Sequence, residues 1–145
     1  MLDKSQWGAL IPHQGSMCLL DTVVAWNDDA LHARTASHRR ADNPLRDGAV
    51  LRALHLCEYG AQAMAVHGAL SARAAGGAAK PGFLVSLRGV RLKVATIEQL
   101  TDELDVFAEK LLQSETSWQY GFRIEHAGQL LAEGRAAVMV GPSAA

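Results

Sequence analysis

The chain has 145 residues, of which 49% are hydrophobic and 20% are charged, and its formal net charge is -1 at pH 7. That length suits one domain, predicted to span residues 1–145, and the composition is typical of a globular protein rather than a disordered one. A chain without a basic excess gives no reason to expect nucleic acid or an anionic membrane surface as a partner.

The longest apolar segment is too short and too often interrupted to cross a membrane. A membrane span needs about 18 uncharged apolar residues. Polar side chains break this segment repeatedly, at Arg52, His55, Glu58 and His67. The N-terminal sequence MLDKSQWGAL lacks the apolar region of a signal peptide, so we predict a cytoplasmic protein without a membrane span.

The cysteines and histidines do not suggest a metal site. Cys18 and Cys57 both lie in apolar runs, which favours reduced core thiols over a disulfide or a pair of metal ligands. The chain has six histidines, but no two of them have the spacing that is typical of zinc ligands. We therefore expect no bound metal.

Residue patterns along the chain predict strands on both sides of one long helix. Residues 1–16 are expected to be mostly loop, with a turn of helix near Lys4–Ala9. Alternating or apolar runs bounded by turn residues predict six strands. These runs are Cys18–Trp26, Leu31–Ser37, Phe83–Val94, Asp102–Leu112, Trp118–Glu125 and Leu130–Val140, with a bulge at Gly89 and a tight hairpin at His126–Gln129.

The central helix is apolar on nearly all sides. It is predicted to begin at Gly48 or Ala49 behind an Asp47 N-cap and to end at Gly68. Ala69–Gly82 is expected to be a frayed helix end followed by a mobile loop. A helix that is apolar all round is buried. Two strands, a buried helix and an antiparallel meander of about four strands predict an α+β hotdog fold, in which a curved antiparallel sheet of about six strands wraps around one long helix.

One narrow polar strip interrupts the apolar surface of this helix. At about 100° per residue, His55, Glu58 and Gln62 fall within an arc of roughly 60°. Burying a carboxylate costs several kcal/mol unless it is paired or used chemically, so Glu58 is a candidate site residue. The structural alternative is that Glu58 pairs with Arg52, His55 or another basic residue and only fixes the packing.

Three segments resemble the hotdog-fold 3-hydroxyacyl-acyl-carrier-protein dehydratases. The first two are Ile11-Pro12-His13 with Met17–Asp21, and the loop His38…Asn43-Pro44…Gly48. The third is Glu58-Tyr59-Gly60-Ala61-Gln62-Ala63 on the central helix, and Gly82-Phe83-Leu84 adds a weaker likeness. The combination is most similar to the small dehydratases of aryl polyene clusters. The sequence departs from the primary-metabolism enzymes in its longer loop and in having Arg39-Arg40-Ala41 after the histidine.

The resemblance implies removal of water from a 3-hydroxyacyl thioester. The reaction needs a base for the α proton, an acid for the leaving hydroxyl and donors for the enolate oxygen. We assign His38 as the base, Glu58 as the carboxylate acting on the hydroxyl, and the backbone amides of Gly48 or Ala49 as the donors. The altered loop leaves open whether His38 or His55 is the base.

Supporting roles are expected for other polar residues, and a partner subunit for the whole chain. His13 and His55 are expected to support the site, and Gln62 to orient Glu58 or a water. The resemblance implies an acyl carrier protein as partner, no cofactor beyond the carrier's phosphopantetheine, and a site shared between two subunits. We therefore expect a homodimer or higher homo-oligomer, or a hetero-oligomer with a second dehydratase.

Two other functions stay open. A hotdog thioesterase or acyl-CoA hydratase would use the same fold, although a histidine paired with a carboxylate favours elimination. A non-catalytic partner subunit of another dehydratase is the third possibility, because the histidine loop is altered. The basic residues could contact the phosphopantetheine arm or the acidic carrier protein, or could simply be solvated: Arg39, Arg40, Arg88, Arg91 and Lys93.

Overall fold

The structure, a computed structural model, describes residues 1–77 and 82–140 of the chain. The strands form one antiparallel sheet in which the strand after the long helix lies at an edge. The elements in chain order are β1 (Leu2–Asp3), α1 (Lys4–Trp7), β2 (Thr22–Trp26), β3 (Ala30–Thr35), α2 (Leu56–Ala74), β4 (Gly82–Leu92), β5 (Leu104–Gln113), β6 (Ser117–His126) and β7 (Gln129–Val140). The strand order across the sheet is β1-β2-β3-β5-β6-β7-β4.

Helix α2 packs against β3, β5, β6 and β7, so the predicted α+β hotdog fold is confirmed. Alternation along the strands explains this packing, because successive side chains point to opposite faces of a sheet. In β5, Leu104 and Val106 are buried on the face toward α2, whereas Glu109 is exposed on the other face. The β6 residue Ile124 continues the buried row opposite Val106.

The strand predictions are close, with two corrections near the N-terminus. The first long strand begins at Thr22 rather than Cys18, and Leu2–Asp3 forms a seventh strand paired with Thr22–Val23 where only loop and a helical turn were expected. The bulge at Gly89 and the hairpin at Ala127-Gly128 are confirmed, since a register shift separates Arg88 from Arg91 and both hairpin residues have positive φ.

The predicted helix boundaries are wrong at both ends. α2 begins at Leu56 after a 3₁₀ turn at Ala53–His55, and it continues past Gly68 to Ala74. Asp47 is not an N-cap, because its backbone exchanges hydrogen bonds with Val50 in a tight turn. Gly68 lies inside the helix, and a Cβ there would come within 2.7 Å of the Trp118 ring, so the glycine serves packing rather than helix termination. The loop expected before Gly82 lies in part outside the described residues, at 78–81.

None of the helices within residues 1–77 and 82–140 combines the length and the apolar character needed to span a bilayer.

His67 is a polar residue buried on α2. Both of its ring nitrogens are hydrogen-bonded, one to the Tyr120 hydroxyl at 2.8 Å and the other to the Asn27 carbonyl at 2.8 Å. His67 therefore joins the helix to the sheet.

Gly60→Val should destabilise the fold, because a Cβ at position 60 would lie 2.7 Å from the Phe122 ring. We expect a loss of about 2–3 kcal/mol in the free energy of unfolding, measured by urea denaturation. Gly121→Val is the matched control, since a Cβ there would meet only Leu111 at 3.7 Å. Equal stability of the two variants would contradict the proposed helix–sheet contact.

Candidate active site

Gln62 fastens the segment before β2 to the buried side of α2. Its side chain is buried, its Nε2 donates to the Met17 carbonyl at 2.5 Å, and its Oε1 accepts from the Leu19 amide at 2.8 Å. Both polar groups of the amide are therefore occupied by backbone. The expectation that Gln62 orients Glu58 is wrong in this chain, because Gln62 instead positions residues 17–19.

Tyr59 fastens the loop that carries His38. The buried phenol bonds the Ser37 hydroxyl at 2.8 Å and accepts from Asn43 Nδ2 at 3.1 Å. Asn43 Nδ2 also donates to the Ser37 carbonyl at 2.9 Å, which closes the loop on itself. Burial raises the pKa of Tyr59, so the phenol stays protonated near neutral pH. Sequence reasoning missed this role, although Tyr59 and Asn43 both lie in the quoted motifs.

His38 is fully buried within this loop. Its Nε2 lies 2.9 Å from the Leu100 carbonyl, which can only accept, so we infer that Nε2 carries the proton. Nδ1 then carries the lone pair, and it has no hydrogen-bond partner among the described residues. Burial lowers the pKa of His38, which keeps the ring neutral near pH 7. The ring is thus in the protonation state of a base, but it is enclosed by its own chain.

A third segment, residues 95–101, forms hydrogen bonds both with residues just before α2 and with the His38 loop. The Glu98 carboxylate accepts from the Leu51 amide at 3.0 Å, and the Ile97 amide donates to the Leu51 carbonyl at 2.9 Å. Arg39 donates to the Thr101 carbonyl at 2.9 Å. These contacts join the loop before α2 to the loop before β5, and nothing in the local sequence of either loop indicated them.

Glu58 lies in the first turn of α2 and is exposed in the single chain. The predicted burial of this carboxylate is therefore wrong for one chain alone. Leu54, one turn earlier, is 58% exposed, so the surface beside Glu58 is partly apolar. Within residues 1–77 and 82–140, no hydrogen bond or ion pair joins Glu58 to another side chain. Neither the structural pairing with Arg52 nor that with His55 is formed.

Only some of the other predicted site residues lie near the start of α2. His55 is half-buried and is the residue directly before the helix. His13 is also half-buried, and its Nδ1 is enclosed without a partner in the described part of the chain. Gly48 and Ala49 are exposed in the turn between Asp47 and Val50, and Gly48 has φ +62°. The amides of Gly48 and Ala49 are therefore not helix N-terminal donors, which corrects their predicted position.

Two cavities in the described part of the chain, with volumes of about 950 Å³ and 680 Å³, lie elsewhere, and neither is lined by His38 or Glu58. Among the described residues, no group of three histidine, cysteine or carboxylate side chains is arranged to hold a metal ion. What one chain offers is an exposed carboxylate on a helix N-terminus and a neutral histidine in a neighbouring loop.

Comparison with known proteins points to one family. A family model described as ApeP-like, ApeP dehydratase, matches residues 5–145. None of the curated proteins that were compared matches the chain significantly. The dehydratase heterocomplex ApeI:P from Xenorhabdus doucetiae has a chain with a TM-score of 0.84 at 24% identity, over 98% of this chain and 93% of that chain.

Thioesterases share the same architecture at lower similarity. A hypothetical thioesterase with coenzyme A from Streptococcus pneumoniae has a TM-score of 0.63 at 13% identity, over 86% of this chain and 88% of that chain. Thioesterase superfamily member 2 from zebra fish has a TM-score of 0.65 at 14% identity, over 97% of this chain and 100% of that chain. At these identities the solved structures establish the fold, and the family model carries the assignment of the chain.

The stability of the chain should fall in acid because His38 is buried in its neutral form. Its folded pKa lies below the unfolded value of about 6.5, so the unfolded chain binds the proton first. The stabilisation is complete above about pH 6.5 and is lost as the pH falls toward the folded pKa, by at most about 1.4 kcal/mol per pH unit. Urea denaturation between pH 7.5 and 5.5 measures the slope.

His38→Asn should reduce this slope, because asparagine does not titrate. Asn43→Ser is the control, since it loosens the same loop and leaves His38 in place. An unchanged slope in His38→Asn would mean that the acid sensitivity arises elsewhere in the chain.

Proposed function

The chain belongs to the ApeP-like dehydratase family, and on this premise we propose that it takes part in removing water from a 3-hydroxyacyl chain carried as a thioester on an acyl carrier protein. The pathway class is fatty-acid or polyketide synthesis, of the aryl polyene type. The observation that supports this proposal best is the location of the Glu58 carboxylate. It stands in the first turn of α2, within the motif that resembles the dehydratases.

The proposed chemistry divides the two proton transfers between Glu58 and a histidine. The base removes the α proton while the carboxyl group gives a proton to the leaving hydroxyl. We propose His38 as the base, acting through Nδ1, because its Nε2 is held by the Leu100 carbonyl and the ring is neutral. Substrate reaches Nδ1 only if the His38 loop moves. His55, half-buried beside the start of α2, is the alternative base, and the variants below separate the two.

A second subunit is proposed to complete the site. β4 lies at the edge of the sheet, where its unpaired backbone groups are free to bind another strand. It also exposes large apolar side chains, with Phe83 at 64% and Val85 at 56% exposure. An exposed, apolar edge strand on this scale favours association. We propose that a second hotdog chain, either a copy of this one or another dehydratase, covers β4 and the face that carries Glu58.

A non-catalytic role in such a complex is the second candidate function. The observation that favours it is that the single chain keeps His38 enclosed and leaves Glu58 without a histidine partner in the described residues. In that case the chain would stabilise a second dehydratase that supplies the complete site. A thioesterase activity would give a different product, because it releases the acyl chain from the thiol.

Glu58→Gln should lower turnover by about 10²–10⁴, the usual contribution of one general acid or base. The fold should be unaffected, because Glu58 is exposed and unpaired in the described chain. Purified protein is mixed with a 3-hydroxyacyl carrier thioester, alone and with a second dehydratase, and loss of water is followed by mass spectrometry. Glu103→Gln, at an exposed carboxylate before β5, is the matched control.

His38→Ala and His55→Ala tested in the same assay identify the base. If one of the two variants loses turnover by about 10²–10⁴, the histidine that it replaces is the base. Full turnover in both variants would exclude a histidine base from this chain. No loss of water in either mixture would favour the non-catalytic role, and release of free thiol would favour a thioesterase.

Replacing the apolar side chains of the edge strand should dissociate the complex. Phe83→Lys with Val85→Lys places two charges on surfaces that are exposed in the single chain, so the fold should persist. We expect sedimentation to show a shift to monomer and turnover to fall with it. Leu112→Lys, at a side chain 58% exposed on β5, is the control. A wild-type chain that sediments as a fully active monomer would rule out the shared site.

A further inference from the structure

The outer face of the sheet, turned away from α2, carries a groove that is not lined by His38 or Glu58. Its volume is about 950 Å³, and its lining runs across the strands from β2 to β4. Six strands lie side by side over this span, so the groove is roughly 24 Å long at a spacing of about 4.8 Å per strand. Four arginines line it: Arg88, Arg91, Arg123 and Arg135.

Two of these arginines face each other directly. Arg88 on β4 and Arg135 on β7 are cross-strand partners, so their side chains share the outer face with Cβ atoms about 5 Å apart. Like charges in this arrangement destabilise a sheet. Both side chains are exposed, and neither forms an ion pair with a carboxylate in residues 1–77 and 82–140.

The space beside this arginine pair is left open by glycine. Gly121 on β6 is the cross-strand partner of Arg135 on its other side. A Cβ at position 121 would approach only Leu111, at 3.7 Å. The groove therefore has room next to the two guanidinium groups.

The other charges of the groove are less concentrated. Arg123 is held in place, since its Nε donates to Glu125 at 2.8 Å and its guanidinium lies 3.9 Å from the centre of the Phe107 ring. Arg91 lies opposite Glu133 across the strands, which offsets its charge, and Glu109 lies near the middle of the groove. The uncompensated positive charge is therefore at Arg88 and Arg135.

We propose that this groove binds a small ligand that carries two adjacent phosphate groups, with Arg88 and Arg135 as its main donors. A guanidinium group offers parallel N–H donors that match phosphate oxygens, and a multiply charged anion removes the repulsion between the two arginines. The phosphoanhydride could belong to free pyrophosphate or to a nucleotide. The site lies on the opposite face of the sheet from α2, so it is independent of the proposed dehydration.

Thermal unfolding with inorganic pyrophosphate tests the proposal, with NaCl at the same ionic strength as reference. The wild-type melting temperature should rise by roughly 5 °C or more at a pyrophosphate concentration about a hundredfold above Kd. In Arg135→Gln, and likewise in Arg88→Gln, the rise should shrink severalfold. Without ligand these variants should melt at or above the wild-type temperature, because a like-charge contact is gone.

Arg34→Gln is the control, because it removes the same charge from a position outside the groove that pairs with Asp105. It should keep the full response to pyrophosphate. A parallel titration with ATP identifies the source: a response to both ligands assigns the site to the phosphoanhydride, and a response to ATP alone assigns it to a nucleotide.

Three results would overturn the proposal. One is no rise in the wild type beyond that of NaCl with either phosphate ligand. Another is an equal rise in Arg135→Gln, which would place the anion elsewhere. The third is stabilisation by poly-glutamate but not by pyrophosphate or ATP, which would make the groove a docking surface for an acidic protein.

Discussion

Hydrogen bonds from two buried side chains of α2, Tyr59 and Gln62, hold the two segments that pack beside the start of the candidate site. Gln62 holds the segment before β2, and Tyr59 holds the loop that contains His38. Buried polar groups must be paired, and leaving one unpaired costs about 1–3 kcal/mol. Because Tyr59 directly follows Glu58, the same turn of helix that presents the carboxylate also orients the histidine loop. The resemblance motif around Glu58 is therefore as much a structural anchor as a chemical one.

The sheet was largely predictable because its signals are local. Trp118–Glu125 alternates strictly, and it forms β6 within a residue at each end. The bulge at Gly89 and the hairpin at Gly128 were indicated by glycines whose positive φ the backbone requires there. The fold class followed from the order of these elements around one apolar helix.

The start of α2 and the exposure of Glu58 were not predictable, because both depend on distant contacts. Leu51 and Ala53 fit an apolar helix, but their backbone pairs with residues 95–97 and so remains extended or turned. The apolar pattern of α2 suggested burial on every side, yet Ala61 and Ala65 are only half-buried. An alanine in the sequence does not indicate whether its side of the helix packs against the sheet or lies at the surface of the chain. The anchoring roles of Tyr59 and Gln62 depend on the same distant partners.

The exposed Glu58 places a physical condition on any complex that covers it. A carboxylate removed from water without a donor costs several kcal/mol, so a partner that only packs against Leu54 and the neighbouring alanines would be opposed by desolvation. A partner that brings a hydrogen-bond donor or a cation to Glu58 avoids this cost. The proposed assembly and the proposed chemistry therefore involve the same side chain, and a partner that fits this surface must also supply a group that hydrogen-bonds Glu58.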